Sequence, residues 1–262
     1  MTGRVQPVVV RDVVLGEGRP KIVVPLTGRT VEELRVEVAA LAGHPVDVVE
    51  WRADHFAELT DVSRVVSTAR LLADDLAGRP LLFTCRTTAE GGRASLGDER
   101  YGQLILAVVE SGAVDLVDVE YERDRAVVDG VLTAARERDV PVVASYHDFT
   151  GTPGRDQIVD RLRAMQDRGA DICKIAVMPH GPADVLTLLE ATRIAHERYV
   201  DRPLITMAMG PLGVVSRIAG QLVGSAATFG TVGRASAPGQ VPVDALDAAL
   251  RLLDYETNAG NE

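Results

Sequence analysis

Residues 46 to 52 read VDVVEWR, and the alternation inside that run decides what kind of sheet can hold it. A short run rich in valine, bounded by turn residues, is a buried strand. Successive side chains of a strand point to opposite faces, so Glu50 and Arg52 share one direction while Trp51 takes the other. The indole points toward packed helices. The two charges face one polar space at the C-terminal end of the strand, where barrel enzymes keep their chemistry.

Reading outward from this run yields an alternation of apolar strands and amphipathic helical stretches. The strands are 21 to 25, 46 to 51, 80 to 85, 115 to 120, 141 to 146, 171 to 176, 203 to 208 and 225 to 230. Between them stand helix signals: Thr30 with Glu33 predicts a capping box, Asp98 opens a pattern that ends at Gly112, and Thr152 with Pro153 opens one closed by Gly169. Eight such units imply parallel βαβ connections and a (β/α)₈ TIM barrel. Periodicity alone also admits an open doubly wound sheet. Polar residues at the C-terminal end of strand after strand favour closure. The preceding VQPVVVRDVVLGEG reads as a β-hairpin closing the barrel bottom, and residues 1 to 262 as a single domain.

Composition narrows the partners. A net charge of −10 argues against nucleic acid and anionic membrane surfaces, which call for clustered Lys and Arg. An anionic ligand would need a local arginine. No apolar run approaches a membrane span and no targeting pattern opens the chain, so a cytoplasmic setting is expected. Cys85 and Cys173 lie in apolar strands, as reduced core residues do. No HExxH, CxxC or paired histidines suggest a metal.

The stretch DICKIAVMP, residues 171 to 179, places Lys174 in the middle of a buried strand. Of the 28 basic residues only two are lysine, Lys21 and Lys174. An amine can condense with a carbonyl to form an imine, which a guanidinium cannot. It must first be neutral: an ordinary lysine at pH 7 is so roughly once in a few thousand molecules, and a depression of about three pH units brings this to roughly a third. Arginines facing the same cavity are expected to supply that depression. The alternatives are a lysine that snorkels to solvent or pairs with a carboxylate. His147, ending the neighbouring strand, suits proton transfer near neutrality, or else fills space. Glu50, Arg52, Arg86 and Glu90 read on their own as a salt-bridge network bracing the rim, the commoner fate of such charges, and Arg217 as a surface ion pair or a carboxylate fork. The segment 230 to 240, GTVGRASAPGQ, reads as a lid or a weak phosphate cradle.

Taken together and in order, VEWRADHF, FTCRTTAEGG, VDVEY, SYHDFTGTP, DICKIAVMP, ITMAMGPLGVVSRIAG and GSAATFGTVGRASAPGQ resemble the type I 3-dehydroquinate dehydratases, Schiff-base enzymes of the shikimate pathway. The resemblance implies a (β/α)₈ barrel, a homodimer and no metal or organic cofactor. It further implies Lys174 as the imine-forming residue, His147 as general acid and base, and Glu90 as the group that orients the imidazole. Glu50, Arg52 and Arg86 would meet the hydroxyls of 3-dehydroquinate, and Arg217, Ser236 and Gln240 its carboxylate. Met207, Met209 and Phe229 would form the apolar wall. Pro25 departs from members that carry serine there, so no ligand contact is expected of it. An aldolase-like lyase acting on a phosphorylated sugar and a non-catalytic acid-binding barrel remain as rivals.

Overall fold

The computed structural model describes residues 5–233 and 236–254. The chain opens with a short antiparallel hairpin, β1 (Val8–Val10) and β2 (Val13–Leu15). Strands β3 (Lys21–Leu26), β4 (Val48–Arg52), β5 (Leu81–Thr84) and β6 (Leu116–Glu120) follow, each succeeded by a helix: α1 (Val31–Ala40), α2 (Val62–Asp75), α3 (Asp98–Glu110) and α4 (Arg125–Glu137). Strands β7 (Val142–Asp148), β8 (Ile172–Val177), β9 (Leu204–Ala208) and β10 (Ala227–Thr231) continue the series with α5 (Arg155–Asp167), α6 (Pro182–Arg198), the short α7 (Val214–Ile218) and, after the two-residue β11 (Val241–Pro242), α8 (Val243–Leu252).

Strands β3 to β9 pair in parallel in chain order, and β10 pairs with β3. The ring closes between β9 and β10 through a parallel bridge of Leu204 with Ser225 and the Ala226 N–H donated to the Leu204 carbonyl at 2.6 Å. The molecule is a (β/α)₈ barrel.

The pleat sorts residues into two layers. Trp51 turns outward and is wholly buried, meeting Phe56 and Phe83 edge to face at 5.7 and 5.5 Å, in the layer between strands and helices. Inward, each strand starts apolar: Val23, Val48, Leu82, Leu116, Val143 and Ile172 pack into one lumen cluster. Val8, Val10 and Leu15 of the hairpin join that cluster, which is how β1 and β2 cap the barrel bottom. Two residues further along five of the strands the lumen turns polar, at Glu50, Thr84, Asp118, Ser145 and Lys174, all buried, while Met207 and Phe229 keep it apolar on β9 and β10.

Local signals resolve with small shifts. Thr30 caps α1 by accepting the Glu33 N–H at 3.3 Å, but the Glu33 carboxylate accepts the Arg29 N–H at 2.6 Å, so the reciprocal half of the expected box is satisfied one residue earlier. Helix α5 opens after Gly154, whose N–H the Gln157 side chain accepts at 3.0 Å, and not at Thr152. Buried Pro25 has a topological effect. Lys21 donates its N–H to Ala226 at 2.9 Å, so in the two-residue phase of a parallel ladder Pro25 also faces β10. Without an N–H it cannot extend the pairing. The β3 to β10 register ends at Val23 with Phe229, and β10 pairs onward with β11 at Gly230 and Val241.

Candidate active site

The two-residue period that builds the strands also builds the site. Glu50 and Arg52 on β4, Arg86 beyond β5, His147 on β7, Lys174 on β8, Met207 and Met209 at the end of β9, and Phe229 on β10 all line one cavity of about 680 Å³ at the C-terminal mouth. Glu90, Arg217, Ser236 and Gln240 line the same cavity from the connecting loops and α7. The twelve residues named as candidate site residues in the sequence are therefore in one space.

The Lys174 amine lies 3.4 Å from Asp118 Oδ2 and 3.7 Å from Glu50 Oε1, and 4.5 Å above the centroid of the Phe229 ring. Its direct charged contacts are carboxylates. The arginines expected to surround it contact it only through intermediaries: Arg86 Nη2 donates to Asp118 Oδ1 at 2.7 Å, on the far oxygen of that carboxylate. The physical reason is the pleat, which puts Asp118, Glu50 and Lys174 in one lumen layer and Arg86 one layer nearer the mouth. Lys174 thus adopts the carboxylate-paired state, and what sets it apart from a structural ion pair is the cavity and the histidine it shares.

Arg86 is the hub of the charge network in the cavity wall. Its Nη1 donates to Glu90 at 3.2 Å, Glu120 at 3.3 Å and the Ser145 hydroxyl at 2.9 Å. The Ser145 hydroxyl in turn donates to Asp118 Oδ1 at 2.7 Å. Burial alone would push the Asp118 carboxyl up, but Arg86, then Lys174 and the Ser145 bond outweigh it and hold it below the ordinary carboxylate value. Glu120 anchors Thr87 through its N–H and hydroxyl, both at 2.7 Å, which fixes the loop after β5.

His147 Nδ1 sits 2.9 Å from Glu90 Oε2. Burial pushes the Glu90 carboxyl up to about 8, with Glu120 and Asp118 adding to the rise against the pull of Arg86. Burial, followed by the charges of Arg86, Lys174 and Arg52, holds His147 well below its ordinary value. The imidazole is therefore neutral at physiological pH, and Nδ1 is committed to Glu90, leaving Nε2 as the nitrogen available to a ligand.

Arg217, 2% exposed, has no carboxylate partner among the described residues. It donates to the carbonyls of Pro238 at 3.2 Å and Phe229 at 3.5 Å, and its Nε has no partner. Desolvation lowers its pKa to about 10. A buried cation left so has hydrogen-bonding and charge capacity that an anion could satisfy. Ser236 and Gln240 bond to each other at 3.1 Å beside it, and the Gly210 N–H donates to Pro238 at 3.2 Å, so this segment is docked on the end of β9. Of the proposed lid, Arg234 and Ala235 lie outside the described residues. Among the described residues no group of three or more His, Cys, Asp or Glu is placed to hold a metal ion.

Asp118, Ser145, Glu120, Asp54 and Phe149 were not singled out from the sequence. Asp118 and Ser145 were detectable as the inward partners of Glu50 and Lys174 in the two-residue period. Phe149 packs on Gly91, whose added Cβ would lie 2.2 Å from the ring, a contact no local pattern announces.

A family model described as Type I 3-dehydroquinase matches residues 22–257. The 3-dehydroquinate dehydratase of Salmonella typhimurium is 48% identical over 246 residues, 94% of this chain and 98% of that one. Two solved structures superpose with a TM-score of 0.92: a type I 3-dehydroquinate dehydratase from Clostridium difficile with covalently modified comenic acid (41% identity, 96% of this chain and 99% of that one) and a 3-dehydroquinate dehydratase from Geobacillus kaustophilus (39%, 97% and 98%). A 3-hexulose-6-phosphate synthase, 18% identical with a TM-score of 0.58, shares the fold.

Proposed function

The chain belongs to the type I 3-dehydroquinase family, and on that premise we propose that it dehydrates 3-dehydroquinate to 3-dehydroshikimate through an imine on Lys174, in the shikimate route to aromatic amino acids. The observation that carries the proposal is the meeting in one cavity of a buried amine, a histidine–glutamate pair and a buried guanidinium without a carboxylate partner among the described residues.

The substrate carboxylate docks on Arg217, with Ser236 and Gln240 exchanging their mutual bond for bonds to it. The Lys174 amine gives up its ammonium proton and adds to the C3 ketone; the C3 oxygen leaves as water and an iminium remains. Asp118 and Glu50 stand within reach to carry the protons this exchange moves and to balance the cationic nitrogen. His147 Nε2 takes a proton from C2 while the Glu90 carboxylate accepts the Nδ1 hydrogen. The electron pair passes to the iminium nitrogen and returns to expel the C1 hydroxyl, which receives the same proton from His147 and departs as water. Hydrolysis of the remaining imine frees Lys174 and the product. Arginine in place of Lys174 would supply no electron sink.

The proposal extends to one catalytic domain over residues 1 to 262, a homodimer and a cytoplasmic setting. In its support the barrel continues from β3 to α8 without a break between domains, and no helix among the described residues is long and apolar enough to cross a membrane. Mixing the enzyme with 3-dehydroquinate should raise the ultraviolet absorbance of the conjugated product, and Lys174→Ala should abolish it. No absorbance change in the wild type, with inorganic phosphate displacing a bound sugar phosphate instead, would favour the aldolase-like alternative.

A further inference from the structure

Asp54 lies just off the cavity, in the 3₁₀ turn Ala53–His55 that follows β4, and is 5% exposed. It is not among the residues that line the site. Both its oxygens nevertheless work for residues that do. Oδ1 accepts from Arg52 Nε and Oδ2 from Arg52 Nη2, each at 2.8 Å, a two-point fork that leaves Nη1 outside it. Oδ1 also accepts the Arg86 backbone N–H at 3.4 Å, and Oδ2 the Arg93 N–H at 3.1 Å. Arg86 and Arg93 flank the loop that carries Glu90. That loop is folded back on itself, since the Ala94 N–H donates to the Arg86 carbonyl at 3.1 Å and an added Cβ on Gly92 would lie 2.1 Å from the same oxygen.

Without this carboxylate Arg52 would have no fixed direction, because its side chain has four rotatable bonds and the cavity already holds the cations Arg86 and Lys174. A bidentate carboxylate fixes the plane of a guanidinium as well as its position. We propose that Asp54 is a positioning residue for substrate recognition: its fork aims Arg52 at the ligand hydroxyls, and its two backbone bonds hold the Glu90 loop at the distance from β4 that this aim requires. The inference rests on the reading of Arg52 as a substrate contact.

The test is a double-mutant cycle on steady-state turnover of 3-dehydroquinate with Asp54→Asn, Arg52→Gln and the two combined, and Arg52→Lys as a separate probe. Asp54→Asn should raise KM by roughly 10- to 100-fold, the worth of a lost charge-assisted bond, with a much smaller change in kcat. Combined with Arg52→Gln it should add no more than about two-fold to the KM of that single variant. Arg52→Lys keeps the charge but cannot form the fork, so its KM should rise as far as that of Arg52→Gln. This arm decides the matter even where Asp54→Asn fails to fold. A wild-type KM in Arg52→Lys, or full additivity of Asp54→Asn with Arg52→Gln, overturns the positioning role while the dehydratase reading stands. A wild type that does not turn over 3-dehydroquinate overturns both.

Discussion

The pairing of His147 with Glu90 makes a pH-dependent prediction that one substitution isolates. The Glu90 carboxyl, pushed to about 8 by burial, must be ionised to accept the Nδ1 hydrogen and leave Nε2 as a free base. Below that pH the shared proton sits on Glu90 as a carboxylic acid donating to Nδ1, which places the imidazole hydrogen on Nε2. That form cannot take a proton from the substrate. With an apparent pKa of about 8, roughly one molecule in eleven is competent at pH 7 and about ten in eleven at pH 9, so kcat/KM should rise about ten-fold across that interval. In Glu90→Gln the amide oxygen still accepts from Nδ1 and cannot titrate. The rise should vanish, leaving a flat profile down to well below pH 6.5, where His147 itself protonates. The plateau should fall by about five-fold, since a neutral bond replaces a charge-assisted one worth roughly 1 kcal/mol more. Thermal unfolding provides a second reading. A carboxyl whose folded pKa is raised from 4.5 to about 8 contributes stability that is full below about pH 4.5 and lost as pH rises through about 8. Glu90→Gln should lose none over that window. A Glu90→Gln enzyme with the same rise near pH 8, or a wild type flat from pH 6 to 9, would refute the assignment.

Borohydride added during turnover should attach one ligand mass to Lys174, located by peptide mass spectrometry; labelling of Lys21 instead, or turnover without any adduct, removes the imine. Arg217→Gln should raise KM by roughly 10- to 100-fold, the worth of its charged bonds to a carboxylate, with kcat less affected; an unchanged KM means the anion binds elsewhere. Gly92→Ala places a methyl 2.1 Å from the Arg86 carbonyl oxygen, where backbone cannot yield, so it should cost about 1 to 3 kcal/mol of stability in denaturant unfolding and lower kcat/KM through a displaced Arg86. Asp118→Asn should slow imine formation more than substrate binding, visible as a lagging adduct in rapid-quench mass spectrometry alongside a near-normal affinity by calorimetry.

The barrel was legible in the sequence because its period is local. A valine run with Glu50 and Arg52 on one side and Trp51 on the other can be sorted without knowing its neighbours, and eight such runs in order leave few topologies. The same locality made Lys174 conspicuous, since a lysine amid six consecutive buried strand residues contradicts its surroundings. Capping shifted by a residue or two because several side chains compete for the same few N–H groups, as Glu33 does in bonding to Arg29 instead of Thr30. What the sequence could not disclose is which charges meet. The partners of Lys174 are 56 residues away at Asp118 and still farther at Glu50, and their contact depends on the stagger of strands around a closed ring. Arg86 and Lys174 both looked like cations of one cavity, yet the stagger sets a carboxylate between them. Asp54 has no periodic signature, and its four bonds exist only because the turn after β4 packs under the loop after β5. Residue type and period determined the fold and marked most of the charged residues that meet in the cavity, while the register of one strand on the next decided the electrostatics, because a pleat assigns each side chain a face but only closure assigns it a neighbour.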